Sequence, residues 1–191
     1  MDALVIFAEY PMEGVKKDLA KDIGEEKAAV FYRKILTWLL REHKDKGYSL
    51  HAAYTPEDKL DEFKQLTDAE LISQRGENFS ERLFNAFEEL LKWNKKVVFI
   101  VSDSYIDSSL VEEAFFLLDN NDVVIGPCMD GGIYLLGMKK PYKLYKNVVW
   151  GSHDVVERII KNIKKEELSY FVLEENIDLD TKEDLEMMDI F

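Results

Sequence analysis

A single cysteine, Cys128, leaves this chain unable to form an internal disulfide or a cysteine-built zinc cluster. Beside the Gly126-Pro127 turn, it reads as a small buried thiol. The three histidines, His43, His51 and His153, show no ligand spacing such as two histidines four apart, so no zinc site is expected. No run approaches the ~20 apolar residues of a membrane span. The amino terminus lacks a basic segment and a long apolar stretch, so the expectation is a cytoplasmic protein without a signal peptide. Cations are outnumbered, 25 Lys and Arg against 38 Asp and Glu, for a net charge of -13. With no compact Lys/Arg cluster, no nucleic-acid partner is expected, because binding a phosphate backbone rests on clustered cations. Small phosphorylated ligands stay open, since a bound metal inverts the local charge logic. Neither a Gly-x-x-x-x-Gly-Lys-Ser/Thr loop nor a strand-coupled Gly-x-Gly-x-x-Gly is present, which removes the two common nucleotide-loop arrangements.

With few prolines and glycines, no linker and no repeat divides the 191 residues, and one domain over 1–191 is expected. Apolar runs rich in Val and Ile predict strands at 3–8, 48–54, 70–73, 97–101, 123–125 and 170–173. An apolar segment at 133–138 reads as an antiparallel return strand. Residues at helical spacing predict helices over 25–46, ending at Gly47, and over 56–65, 107–118, 152–163 and 181–188. Asn78 followed by Glu81 has the form of a capping box opening a helix through Leu91. Strands alternating with helices imply an α/β fold with a mostly parallel sheet flanked by helices.

The chemistry gathers where apolar runs end. Val97-Val-Phe-Ile-Val-Ser-Asp103 and Val123-Val-Ile-Gly-Pro-Cys-Met-Asp-Gly-Gly132 each finish on an aspartate at a strand's carboxyl end. In open α/β sheets ligands bind at that edge. Carboxylates there, with glycines allowing close backbone approach, suit a divalent cation holding a phosphorylated ligand. Asp103 could instead be a turn or cap residue before Asp107, Asp130 a turn residue supporting Gly131-Gly132, and Asp178 and Asp180 caps of the last helix.

The motifs resemble those of the uncharacterised glycosyltransferase-like DUF2064 family of the nucleotide-diphospho-sugar transferase superfamily. Phe7-Ala-Glu-Tyr-Pro-Met-Glu-Gly-Val-Lys-Lys-Asp-Leu19 is similar to the family's Phe-Ala-Lys-x-Pro-x-Pro-Gly-x-Val-Lys-Thr-Arg-Leu opening. Gln74-Arg-Gly-Glu-Asn-Phe-Ser-Glu-Arg-Leu83 resembles its Gln-x-Gly-x-x-Leu-Gly-Glu-Arg-Met block. Val101-Ser-Asp-Ser-Tyr105 stands for Gly-Ser/Thr-Asp-Cys-Pro, and Gly126-Pro-Cys-Met-Asp-Gly-Gly-Ile-Tyr134 for Gly-Pro-x-x-Asp-Gly-Gly-Tyr-Tyr. Trp150-Gly-Ser152 takes the place of Trp-Ser-Thr, and the closing Asp-x-Asp-Thr-x-x-Asp-Leu is intact at 178–185.

The resemblance implies a GT-A-like fold and transfer of a glycosyl group from a nucleotide-diphospho-sugar donor, assisted by Mg²⁺ or Mn²⁺. Asp103 would be the metal ligand and Lys16 would face phosphate. Asp130 and Asp180 would take the catalytic roles of orienting the sugar or acceptor. Gly131 and Gly132 would let backbone approach the substrate, and Trp150 would wall the pocket. Two alternatives remain open: a guanylyltransferase-like nucleotidyl transfer, and a non-catalytic nucleotide-binding or interaction protein. The second draws on three departures: Glu9 stands for a family lysine, Asp18 for an arginine and Tyr105 for a proline. Asp18 would repel a diphosphate that a bidentate arginine would hold. Oligomeric state is left open.

Overall fold

Among the described residues, seven strands form one sheet in the order β3-β2-β1-β4-β6-β5-β7. The computed structural model describes residues 1–177, so the helix expected over 181–188 lies outside the described residues. In chain order the elements are β1 (Ala3–Glu9), α1 (Lys17–Ile23), α2 (Glu25–Glu42), β2 (Ser49–Thr55), α3 (Leu60–Leu66), β3 (Glu70–Ser73) and α4 (Phe79–Leu90). They continue with β4 (Val97–Val101), α5 (Ser108–Leu117), β5 (Val123–Pro127), β6 (Ile133–Met138), α6 (Val155–Lys165) and β7 (Tyr170–Val172). A 3-10 turn, Glu57–Lys59, precedes α3.

Alternation along the central strands feeds two apolar layers. On β1, Leu4, Ile6 and Ala8 face a core shared with α1, α2, α3 and α5, while Ala3, Val5 and Phe7 face one shared with α4 and α6. β4 divides in the same way, Val98 and Ile100 to one side and Val97 and Phe99 to the other. Strands buried on both faces carry continuous apolar runs, which is why β1 and β4 stand out so clearly in the sequence.

β1, β2, β3 and β4 are parallel, with Phe7 paired to Ala53 on one side and to Val101 on the other. The connection between β5 and β6 is short, and a short connection permits only an antiparallel pair. β6 therefore runs back between β4 and β5, antiparallel to both. That reversal leaves β5 pointing the same way as β4. The carboxyl ends of β1, β2, β4 and β5 share one edge.

Local signals account for most boundaries. Asn78 Oδ1 accepts from the Glu81 N–H at 3.0 Å, so Asn78 caps α4 as the spacing predicts, while the Glu81 carboxylate reaches back to the Glu77 N–H at 2.9 Å, one residue before the cap. Asp107 caps α5 by accepting from the Leu110 N–H. α2 ends at Glu42, short of the expected Gly47. The cause is tertiary: His43 turns into the core, where its Nε2–H donates to the Ile106 carbonyl at 2.9 Å and its Nδ1 accepts from the Tyr48 hydroxyl at 2.7 Å. The pattern also passes over α1, which is short and has no side-chain cap. Among the described residues, no helix is long and apolar enough to cross a membrane.

His43 and His51 are both buried, and burial pushes each imidazole below its ordinary 6.5. As pH falls, the unfolded chain takes up those protons before the folded one does. Stability that is full above the unfolded value is therefore lost progressively below it. Each histidine can contribute up to ~1.4 kcal/mol per pH unit in that window. Urea unfolding is expected to show a lower midpoint at pH 5.5 than at pH 7.5, and His43→Gln should flatten part of that dependence.

Candidate functional site

Two segments meet at the carboxyl edge through one hydroxyl. The Tyr32 phenol, reaching up from α2, accepts from the Glu9 N–H at 3.0 Å and shares a hydrogen bond with Ser102 Oγ at 2.7 Å. Burial pushes the phenol well above its ordinary range, so it stays protonated. It pins the end of β1 to the residue that follows β4. The next residue is Asp103.

Asp103 Oδ2 lies 2.6 Å from Lys16 Nζ, with the aspartate side chain 27% and the lysine 12% exposed. Lys16 precedes α1 with φ 51° and ψ 53°, the left-handed conformation that a residue bearing a Cβ seldom adopts. The loop after β1 thus returns its cation to the end of β4, two strands that the sequence separates by more than eighty residues. The helix-cap alternative for Asp103 falls away, because Asp107 fills that role.

Beside this ion pair opens a pocket of about 270 Å³. Phe7, Phe79, Phe99 and Val101 supply apolar surface, and Glu9, Lys16, Tyr32, Thr55, Gln74, Arg82, Ser102 and Asp103 the polar lining. The three rings pack edge to face, Phe7 against Phe99 at 5.0 Å and against Phe79 at 5.8 Å between centroids. Gln74 Nε2 donates to the Ala53 carbonyl at 2.8 Å, which anchors the amide at the end of β2. Arg82 Nε donates to the Gly76 carbonyl at 3.3 Å, leaving its terminal nitrogens for other partners. Two cations and two carboxylates thus share a partly enclosed cleft.

Of the residues singled out from sequence, Asp103 and Lys16 meet in this pocket. Asp130 stands on the same sheet edge beyond β5, outside the lining. Its Oδ1 accepts from the Gly132 N–H at 2.8 Å, a turn contact, and its carbonyl pairs with His153 Nδ1 at 2.8 Å. Trp150 backs the pocket instead of facing it: Nε1–H donates to Ser80 Oγ at 2.8 Å and the indole packs edge-on to Phe79. Asp178 and Asp180 lie outside the described residues. Asp18 pairs with Lys21 at 2.5 Å on the exposed face of α1, so the negative charge at the family's arginine position is neutralised locally, away from the pocket lining. Tyr105 stacks on Trp38 at 4.1 Å.

Sequence reasoning assigned no site role to Phe7, Tyr32, Thr55, Gln74, Phe79, Phe99, Arg82 and Ser102. The available signal was weak: Phe7, Gln74 and Arg82 sit inside the quoted motif blocks, but Tyr32 arrives from a helix whose periodicity marks it only as core. The absence of a basic cluster also needs correction. A groove of about 360 Å³ gathers Arg158, Lys161 and Lys165, which helical periodicity brings together on α6, with Lys146 from the loop before it, alongside Asp154 and Glu157.

Gly131 has φ +91°, and a Cβ built there would lie 2.0 Å from the His153 carbonyl oxygen. Backbone packing against the segment before α6 requires the glycine, whatever approaches from solvent. Gly131→Ala is expected to cost ~1–3 kcal/mol from the disfavoured conformation alone, with the clash adding to it. Thermal unfolding of this variant beside Gly132→Ala, where the nearest atom is the side-chain Asp130 Oδ1 at 3.1 Å and not backbone, checks the difference.

The fold has close relatives among solved structures. A candidate nucleotide-diphospho-sugar transferase from Desulfovibrio desulfuricans G20 superposes with a TM-score of 0.93 at 29% identity, covering 98% of this chain and 85% of the other. A 4-diphosphocytidyl-2C-methyl-D-erythritol synthase from Anaerococcus prevotii DSM 20548 gives 0.63 at 12% identity, covering 98% and 95%. The inositol-1-phosphate CTP transferase from T. maritima gives 0.60 at 14%, covering 96% and 90%. These last two share the fold alone. No curated protein matches the sequence significantly. A family profile does match, over residues 39–152, which is more than half the chain and includes Gln74, Arg82 and Asp103. The chain therefore belongs to the family of uncharacterized proteins conserved in bacteria, DUF2064.

Proposed function

We propose that this protein transfers a glycosyl group from a nucleotide-diphospho-sugar donor, with Mg²⁺ or Mn²⁺ accompanying the diphosphate. The observation that carries the reading is the Lys16–Asp103 pair at 2.6 Å beside an aromatic-floored pocket on the carboxyl edge. Its likeness to the D. desulfuricans protein at 29% identity supports it. Among the described lining residues Lys16 and Arg82 are the cations that would meet phosphate oxygens, and the rings of Phe7, Phe79 and Phe99 offer an apolar surface to a base or sugar.

The donor set fits a divalent cation that arrives with oxygens of its own. Among the described residues no group of three or more His, Cys, Asp and Glu could hold a metal ion. Magnesium commonly takes one or two carboxylates plus substrate phosphates and water, and Asp103 is such a carboxylate. Its Oδ2 already holds a cation, the Lys16 ammonium, so the position is electrostatically suited to positive charge. When bound, the metal would supply neutralisation of charge growing on the departing diphosphate.

Nucleotidyl transfer from a nucleoside triphosphate is the competing reaction on this fold. Glu9 and Asp103 in the pocket weigh against it, because a triphosphate and a phosphorylated acceptor would bring more negative charge against two carboxylates. Product analysis separates the readings. Incubation with nucleotide sugars and Mn²⁺ is expected to release nucleoside diphosphate; pyrophosphate released from a triphosphate would mean nucleotidyl transfer, and binding with neither product a non-catalytic role. Asp103→Asn is expected to remove the metal-dependent part of nucleotide binding and to lower turnover about a hundredfold, the scale of losing one group that stabilises transition-state charge. Equal nucleotide affinity in chelator and in Mn²⁺ would overturn the metal assignment.

A further inference from the structure

The candidate site holds a cation of its own where the divalent ion would bind. Lys16 reaches Asp103 at 2.6 Å from a left-handed backbone position, and the lysine is the more buried of the two. The polypeptide thus keeps the pair together at the expense of an uncommon conformation. The ammonium and a divalent ion compete for Asp103 Oδ2, since each repels the other and so weakens its hold on the shared oxygen. Asp103 offers a free metal ion a carboxylate that the ammonium already holds at 2.6 Å, so the ion must displace the lysine to gain it. A phosphate changes the balance, because it offers Lys16 a new anionic partner and the metal several new oxygens.

We propose that Lys16 is a latch on this site: it occupies Asp103 in the ligand-free protein, keeps free divalent ions out, and moves to phosphate when a metal–nucleotide complex arrives. The inference rests on the transferase reading for the identity of the ligand, but the exclusion of free metal stands on the ion pair alone. Metal and phosphate then bind cooperatively, each raising the affinity of the other by the same factor, as linkage requires. The exchange conserves charge pairing. Before binding, Lys16 faces Asp103; afterwards Lys16 faces phosphate and Asp103 faces the metal.

The test uses two probes, Mn²⁺ alone followed by electron paramagnetic resonance, and inorganic pyrophosphate at fixed free Mn²⁺ followed by calorimetry. Wild-type protein is expected to bind Mn²⁺ about tenfold or more tightly with pyrophosphate than without it. Lys16→Met should reverse two properties in opposite directions, gaining about tenfold in affinity for Mn²⁺ alone and losing about tenfold for pyrophosphate. Lys16→Met combined with Asp103→Asn should erase the Mn²⁺ gain, which places it at Asp103. A lysine that merely supports the loop would weaken both affinities or neither. If Lys16→Met does not fold, Lys16→Gln is read by the same criteria, and the wild-type comparison needs no variant.

Wild-type Mn²⁺ affinity unchanged by pyrophosphate, or no gain of Mn²⁺ affinity in the lysine variant, overturns the latch. If the lysine variant gains Mn²⁺ affinity but no protein binds nucleoside diphosphates or nucleotide sugars, the latch survives and the transferase reading fails.

Discussion

The hydroxyl of Tyr32 joins segments that the chain keeps far apart. It takes the Glu9 N–H at the end of β1 and bonds Ser102 after β4, while its ring belongs to α2. Parallel pairing of β1 with β4 brings those strand ends side by side, and the phenol fixes how the chain leaves them. Asp103 follows Ser102 directly, and Glu9 opens the loop that returns with Lys16. The position of the ion pair therefore depends on a buried polar contact at the edge of a largely apolar layer. Such a contact is costly to leave unmade, which makes it an effective constraint on geometry.

Below that edge the pocket owes its shape to rings that also serve the core. Phe7 and Phe99 occupy neighbouring parallel strands and face the α4 side together, while Phe79 lies at the start of α4. The Asn78 cap sets where that helix begins, and so places both Phe79 and Arg82. Trp150 supports Phe79 from behind and is itself held by Ser80 of the same helix turn. The cap that orders α4 therefore also orders one wall of the site.

Most strands were legible because each carries a signal of its own. Val97–Val101 and Glu70–Ser73 coincide with the apolar runs that predict them, and the return strand Ile133–Met138 is antiparallel as its position after Gly131-Gly132 suggests. Strand order is different in kind, since it depends on which strands pair across the whole fold. Helix ends failed where tertiary contacts intervened, as at His43, whose ring satisfies Tyr48 and Ile106 and so ends α2 early. Within the site, Asp103 and Lys16 could be singled out because each stands at a motif position with an evident chemistry. Tyr32 could not, because nothing in a helical repeat distinguishes a core phenol from one whose hydroxyl joins two strands. Asp18 shows the converse: its charge is plain in the sequence, but only the backbone of α1 shows that it meets Lys21 and not the pocket.

The departures from the family pattern acquire a common physical sense once the charges are placed. Glu9 stands where a lysine is expected, so among the described residues the pocket lining sets Glu9 and Asp103 against Lys16 and Arg82. Asp18 removes a further cation from the loop, although its own charge is satisfied by Lys21. A pocket with surplus lysine and arginine can attract phosphate directly. A balanced one attracts it less, and gains from positive charge that accompanies the ligand. Under the proposed function, these substitutions therefore move phosphate recognition away from protein cations and toward a metal-bound form of the substrate, while the Lys16–Asp103 pair keeps the cleft neutral until that form arrives.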